Sequence, residues 1–301
     1  MCPRPSDFWN WAREHASVHW PMKRSIGIEV FYFLDRWSDD QTAVFSRVAD
    51  AGYDGAEISF VAGRDIDTKK ISRAAAAAEI EIVCSTGLTR ELDISSPVAE
   101  VREAGKLHLR RCLDAAAELR SPVLGGVTYA PWMFFPDGDL NDNRKRSAEC
   151  LHAVAEDAAD LGVDICLEVV NRFETSLFNT VADCLVFIDA IDHQSVKVEV
   201  DTFHMNMEED DLAAAVRQAT GRLGHVQVAA NNRRAPQFGH IDWAAFRAAL
   251  DSIGYDRWVV FETFPNPAVE TGRSTYAWRP LADDVDLEAR DAAAFIRRSI
   301  A

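Results

Sequence analysis

The sequence contains no C-x-x-C pair. Its six cysteines, Cys2, Cys84, Cys112, Cys150, Cys166 and Cys184, are scattered through 301 residues. That spacing excludes a zinc knuckle or a dithiol redox motif and reads as reduced thiols acting as small apolar side chains. No apolar run reaches the roughly 18–20 residues needed to cross a membrane. The opening MCPRPSDFWNWAREHASVHWPMKR lacks the continuous apolar stretch of a secretory signal. The expected compartment is therefore cytoplasmic, with no membrane partner. Positive charge is scarce: 32 Lys and Arg stand against 48 Asp and Glu, a formal charge of −16. A surface of that sign repels phosphate backbones. Arg110–Arg111 and Arg233–Arg234 are isolated pairs, not a stripe, so nucleic acid is not an expected partner. No G-x-G-x-x-G turn follows the first strand candidate, which argues against a doubly wound nucleotide fold. No linker rich in Pro, Gly or Ser divides the chain.

What is present is a recurring unit. An Ala-rich amphipathic stretch ends near glycine, and an aspartate and a run of β-branched residues follow. AGYDGAEISF (51–60), LGVDICLEVV (161–170) and IGYDRWVVFETF (253–264) are the clearest copies. Glycine is a frequent helix stop, and short apolar runs after such stops read as strands buried on both faces. Eight strand candidates emerge: 25–33, 55–60, 81–88, 122–129, 164–171, 196–204, 223–230 and 258–264. Helical stretches separate them, including 67–80, 96–119, 210–220 and 242–254. The expected fold is α/β, a single (β/α)₈ TIM barrel over residues 25–301. Residues 1–24, with Phe8, Trp9, Trp11 and Trp20, read as a helical N-terminal extension. The tail 286–301 reads as the last helix, with Arg297 and Arg298 in its final turn, where cations suit the helix dipole.

In such barrels chemistry sits at the C-terminal ends of the strands. Glu168 in CLEVVN, Asp201 in VEVDTFH and Glu262 in VVFETF each stand at or near such an end, flanked by core residues. A bare buried carboxylate costs several kcal/mol, so each must be paired, protonated or bound to metal. No Lys or Arg adjoins any of them in sequence. A cationic partner from a neighbouring strand is one account, and a divalent cation with oxygen ligands is the simpler one. Glu174, His204 and Arg233 follow the strand ends at short offsets. Taken singly, His204 reads as an ordinary loop histidine and Arg233 as solvated surface.

LEVVNRFETSLFNT, VDTFHMNMEEDD, the NNR turn before GHIDW, and GYDRWVVFETF resemble the ketose 3-epimerases (D-tagatose and D-allulose 3-epimerases) of the xylose-isomerase-like barrels. The resemblance runs from the first strand to the last helix and is densest over 161–264. It implies C3 epimerisation of a ketose by two-glutamate proton transfer through an enediolate. It also implies a divalent metal, Mn²⁺ or Mg²⁺ with Co²⁺ as a further option. The implied ligands are Glu168, Asp201, Gln227 and Glu262. Glu168 and Glu262 would double as the acid–base pair. Glu174, His204 and Arg233 would bind the O1–O3 end of the sugar, Trp132 would wall the pocket, and Glu57 would be structural. Partners would be a small sugar and further copies of the chain, as a homodimer or homotetramer.

The chain departs from that pattern at GHVQVAANNR (224–233). Gln227 stands where the family has histidine, and Ala230 where it often has glutamate. A glutamine oxygen can ligate a hard cation but is a weaker donor than imidazole to transition metals. His225, two residues earlier, shares the same face but lies about 6–7 Å further back along the strand. Two alternatives stay open. One is a divergent sugar isomerase or lyase, such as a C-glycoside-cleaving subunit, and the other is a metal-free sugar-binding protein. A superfamily DNA-repair endonuclease is disfavoured by the charge and by the lack of a histidine-rich trinuclear set.

Overall fold

A computed structural model of the chain describes residues 24–60, 66–136 and 138–301. The expected N-terminal extension, including Phe8, Trp9, Trp11 and Trp20, lies outside the described residues apart from Arg24.

Eight parallel strands close into a barrel in sequence order. They are β1 Ile26–Glu29, β2 Gly55–Ser59, β3 Glu81–Ser85, β4 Val123–Gly125, β5 Asp164–Val169, β6 Val196–Asp201, β7 Leu223–Val228 and β8 Val259–Phe261. The helix positions also agree with the reading from sequence: Thr68–Ala77, Ala99–Glu118, Leu212–Gln218, Trp243–Ser252 and Val285–Ser299 occupy the anticipated stretches. The glycines of the recurring unit do turn the chain, since Gly52, Gly162 and Gly254 are left-handed at φ 89°, 68° and 70°. A side chain would be strained there.

The strands are shorter than the apolar runs. The run 25–33 pairs only as far as Glu29, and Val30–Tyr32 is a turn of 3-10 helix. The run 196–204 stops at Asp201. The Asp201 carboxylate accepts from the Phe203 amide at 2.8 Å and so caps a helix over Thr202–Glu208. His204 therefore sits in the first turn of a helix and not in a loop.

Side chains alternate along each strand. Ile28, Ile58, Ile82, Leu167, Val198, Val226 and Phe261 belong to the main core between sheet and helices. The opposite parity faces the barrel axis. Near the floor it supplies a small separate apolar cluster of Val83, Val123, Cys166, Trp258 and Val260. Above that cluster the axis is lined by carboxylates.

One irregularity sets which of those carboxylates meet. The β6–β7 register slips between Val198 and Glu199, so Val198 pairs with Leu223 but Glu199 pairs with His225 and Asp201 with Gln227. The residue passed over is Gly224. A Cβ there would come within 2.5 Å of Cys166 Sγ and 2.6 Å of the Lys197 side chain. Glycine thus lets the bulge lie flat, and the bulge seats two β7 side chains beside two β6 acids.

Arg24 closes the other end. It is fully buried. Its Nε donates to the Tyr255 carbonyl at 2.8 Å, Nη1 to the Ile300 carbonyl at 2.9 Å and Nη2 to Asp251 at 2.5 Å. Two distant segments, 251–255 and the last helix's end at Ile300, meet on one guanidinium. Arg24→Met should lower unfolding stability by about 3 kcal/mol. In urea the midpoint should fall with the slope unchanged, and an unmoved midpoint would deny this residue its role.

Candidate active site

Glu168, Glu174, His204, Gln227, Arg233, Glu262 and Trp132 line one cavity of about 220 Å³ at the C-terminal mouth of the barrel. Asp201 lies fully buried beneath it, bonded to Arg233. All eight residues singled out from the sequence are therefore together.

The acid at the end of β5 is held through its backbone. The Tyr129 hydroxyl donates to the Glu168 carbonyl at 2.9 Å. The Glu168 carboxyl is pushed well above the usual carboxylate range, first by burial and then by Glu262, Glu199 and Asp201. Its nearest nitrogen partner is His204 Nε2 at 3.5 Å. Asn171, which sequence reasoning missed, fixes that ring. Its Nδ2 and its backbone amide both point at His204 Nδ1, at 2.7 and 3.3 Å. Nδ1 is thus an acceptor, and the proton sits on Nε2, facing Glu168 and Asp201. Burial lowers the ring's pKa, in keeping with a neutral imidazole.

Glu174 is organised from two sides. Trp132 Nε1 donates to it at 2.6 Å and Asn171 Nδ2 at 3.0 Å. Burial alone would raise the Glu174 carboxyl, but the Arg233 guanidinium and these two hydrogen bonds hold it below the usual range.

Arg233 answers the question of cationic partners. It arrives from the turn after β7, in left-handed backbone at φ 62°. Its Nη1 donates to Asp201 Oδ2 and its Nη2 to Glu262 Oε2, both at 2.6 Å. The plane lies over the rings of Phe203 and Phe264, with centroids 4.5 and 5.4 Å away. The partner account of the buried acids thus holds for Asp201 and Glu262 but not for Glu168. Even with this guanidinium beside it, the Glu262 carboxyl is pushed up to about 8, chiefly by burial, with Asp201, Glu57 and Glu174 adding repulsion.

Gln227 sits between these groups. Its Nε2 donates to Glu57 at 2.8 Å and reaches Glu262 at 3.4 Å. Its Oε1 is buried and has no hydrogen-bond partner. An orphaned, buried amide oxygen suits a hard divalent cation, which takes oxygen ligands of this kind. Glu168, Asp201 and His204 also offer ligand atoms within 4.8 Å of one another.

Two more acids were missed from sequence. Glu29 on β1 and Glu199 on β6 point to the barrel axis, fully buried. Both share the inward parity of acids already identified, with Glu199 two residues before Asp201 and Glu29 in register with Glu57. Counting by twos from the strand-end acids would have found Glu199.

Comparisons with known proteins bear on the family and the fold. The family model described as xylose isomerase-like TIM barrel matches residues 45–297. A D-psicose 3-epimerase from Ruminiclostridium cellulolyticum is 33% identical over 270 residues, covering 88% of this chain and 92% of that protein. An L-ribulose 3-epimerase from Methylomonas sp. is also 33% identical, covering 87% of this chain and 94% of the relative. The structure of D-psicose 3-epimerase with D-tagatose from Clostridium cellulolyticum H10 superposes with a TM-score of 0.86 at 34% identity, covering 92% and 99% of the two chains. The chain belongs to the ketose 3-epimerases of the xylose isomerase-like TIM barrel family, and is an isomerase of the carbohydrate epimerase type.

Proposed function

We propose that this chain inverts a ketose at C3, with Glu168 and Glu262 as the two proton-transfer groups and a divalent cation, Mn²⁺ or Mg²⁺, held by Glu168, Asp201, Gln227 and Glu262. The observation that carries this reading is the buried, unpaired oxygen of Gln227, whose amide nitrogen contacts Glu57 and Glu262. The relatives named as acting on D-psicose and L-ribulose, and the one solved with D-tagatose, support a ketose substrate.

The C3 proton of a ketose is acidified by the adjacent C2 carbonyl. When bound, the cation supplies Lewis acidity at the sugar's oxygens. The protein side chains do the rest. Glu168 lies on β5 and Glu262 directly after β8, three strands apart round the ring, and in this reading each carboxylate serves one face of C3. One removes the proton and the other, protonated, returns one from the opposite side. Both carboxyls are raised by burial and by neighbouring carboxylates, which suits groups that must both take and give a proton. The Arg233 guanidinium and the His204 Nε2–H offer donors to negative charge on the enediolate oxygens. Glu174, held ionised, accepts from sugar hydroxyls, and Trp132 walls the pocket while steadying Glu174.

A metal-free sugar-binding protein is a second reading. What favours it is Arg233, which already supplies a cation to Asp201 and Glu262. The two readings part on metal content.

Glu262→Gln should cut epimerisation by about 10²–10⁴-fold with circular dichroism unchanged, and a fully active variant would remove the two-glutamate scheme. Replacing Gln227 by histidine should tighten Mn²⁺ binding by about tenfold, or ~1.4 kcal/mol, in an equilibrium titration. An unchanged affinity would mean that residue 227 does not ligate. In metal-free protein Arg233→Met should cost about 3 kcal/mol by leaving two buried acids unpaired. Added Mn²⁺ should recover part of that loss in a melting experiment, and a loss that Mn²⁺ leaves untouched would count against a cation between those acids.

A further inference from the structure

The acids along the barrel axis stand on two levels. The upper level holds Asp201 beside Gln227, with Glu168 and Glu262. The lower level, two residues back along the same strands, holds Glu199 beside His225. Glu57 reaches in from β2 to meet both His225 and Gln227. We propose that Glu57, Glu199 and His225 form a second divalent-cation site one level below the substrate pocket, inside the barrel.

Geometry and charge both carry this. Glu57, Glu199 and His225 each offer a ligand atom, and the three atoms lie within 4.8 Å of one another. All three side chains are essentially inaccessible to solvent. His225 Nε2 stands 2.7 Å from Glu57 Oε2. Glu199 is aimed at the axis by one anchor, the Gly126 amide, which donates to its Oε2 at 2.8 Å. Its other oxygen, Oε1, is buried with no partner, and so is the overlying Gln227 Oε1. Among the described residues no Lys or Arg pairs with Glu29, Glu57 or Glu199, and His225 is the single basic group in contact with them. Buried carboxylates without counter-charge cost several kcal/mol each. One dication bound by two carboxylates and an imidazole nitrogen removes that cost, and this donor set suits Mn²⁺, Fe²⁺, Co²⁺ or Zn²⁺.

The site also lies where the chain departs from the pattern it resembles. One level below Gln227, His225 is paired in register with Glu199. This second site stands whether or not the upper one binds metal.

The test uses Mn²⁺ as the probe. Stripped full-length protein is titrated with Mn²⁺, bound metal is counted by elemental analysis, and Mn²⁺-loaded crystals are examined by anomalous scattering. Two ions per chain are expected, about 6–7 Å apart along the strands. Glu199→Gln should lose the lower ion and keep the upper one, while Glu262→Gln should weaken only the upper one. A single peak among Glu57, Glu199 and His225, lost in Glu199→Gln, supports the lower site and contradicts the upper ligand set. A single peak among Glu168, Asp201, Gln227 and Glu262, with Glu199→Gln binding as the parent does, overturns the lower site and leaves the proposed function standing. No anomalous peak in the barrel overturns both. The diffraction measurement needs no variant, so a variant that fails to fold does not leave the question open.

Discussion

Seven carboxylates, those of Glu29, Glu57, Glu168, Glu174, Glu199, Asp201 and Glu262, crowd the inside of this barrel, and among the described residues one guanidinium, that of Arg233, faces them. Most features of the site follow from that imbalance. Several of the acids are spared the full cost of their charge by a specific device. Trp132 and Asn171 donate to Glu174, the Phe203 amide and Arg233 donate to Asp201, the Gly126 amide donates to Glu199, and His225 and Gln227 contact Glu57. What these devices leave over appears as carboxyls pushed upward by burial and as oxygens with no partner. A cation, or protons that move, is what such an interior calls for.

The fold tolerates this because the two faces of each strand are separate environments. Outward-facing Ile, Leu, Val and Phe bury the apolar surface against the helices, which is where the hydrophobic stabilisation comes from. The axis is then free to carry polar groups, with a thin apolar floor around Trp258 beneath them. The short bulge at Gly224 couples the two environments, since it fixes which β7 side chains stand beside Glu199 and Asp201.

Much of this was legible in the sequence. The repeated helix, glycine and strand unit gave the count of eight strands, because a helix stop needs left-handed backbone and glycine adopts it cheaply. The strand-end acids Glu168, Asp201 and Glu262 stood out because they interrupt apolar runs. The strand ends themselves were harder to read. Asp201 is both the last residue of a strand and the cap of a helix, and apolar periodicity does not register that change until the helix is under way. Glu29 and Glu199 were hidden because burial on both faces made the strands look uniform, although the inward parity had been set by the acids above them. Arg233 was visible as a residue but not as a partner. A turn from residue 230 to 234 brings it back over residues 29 and 32 positions away in sequence, and no local spacing encodes that.

The central claim is that these acids serve proton transfer at C3 of a ketose. The measurement that tests it most directly is nuclear magnetic resonance of a ketose incubated in D₂O with Mn²⁺-loaded, full-length protein. The account predicts deuterium entering at C3 while both C3 epimers accumulate. A sugar bound in the pocket that keeps its C3 proton, with the cation in place, would contradict it.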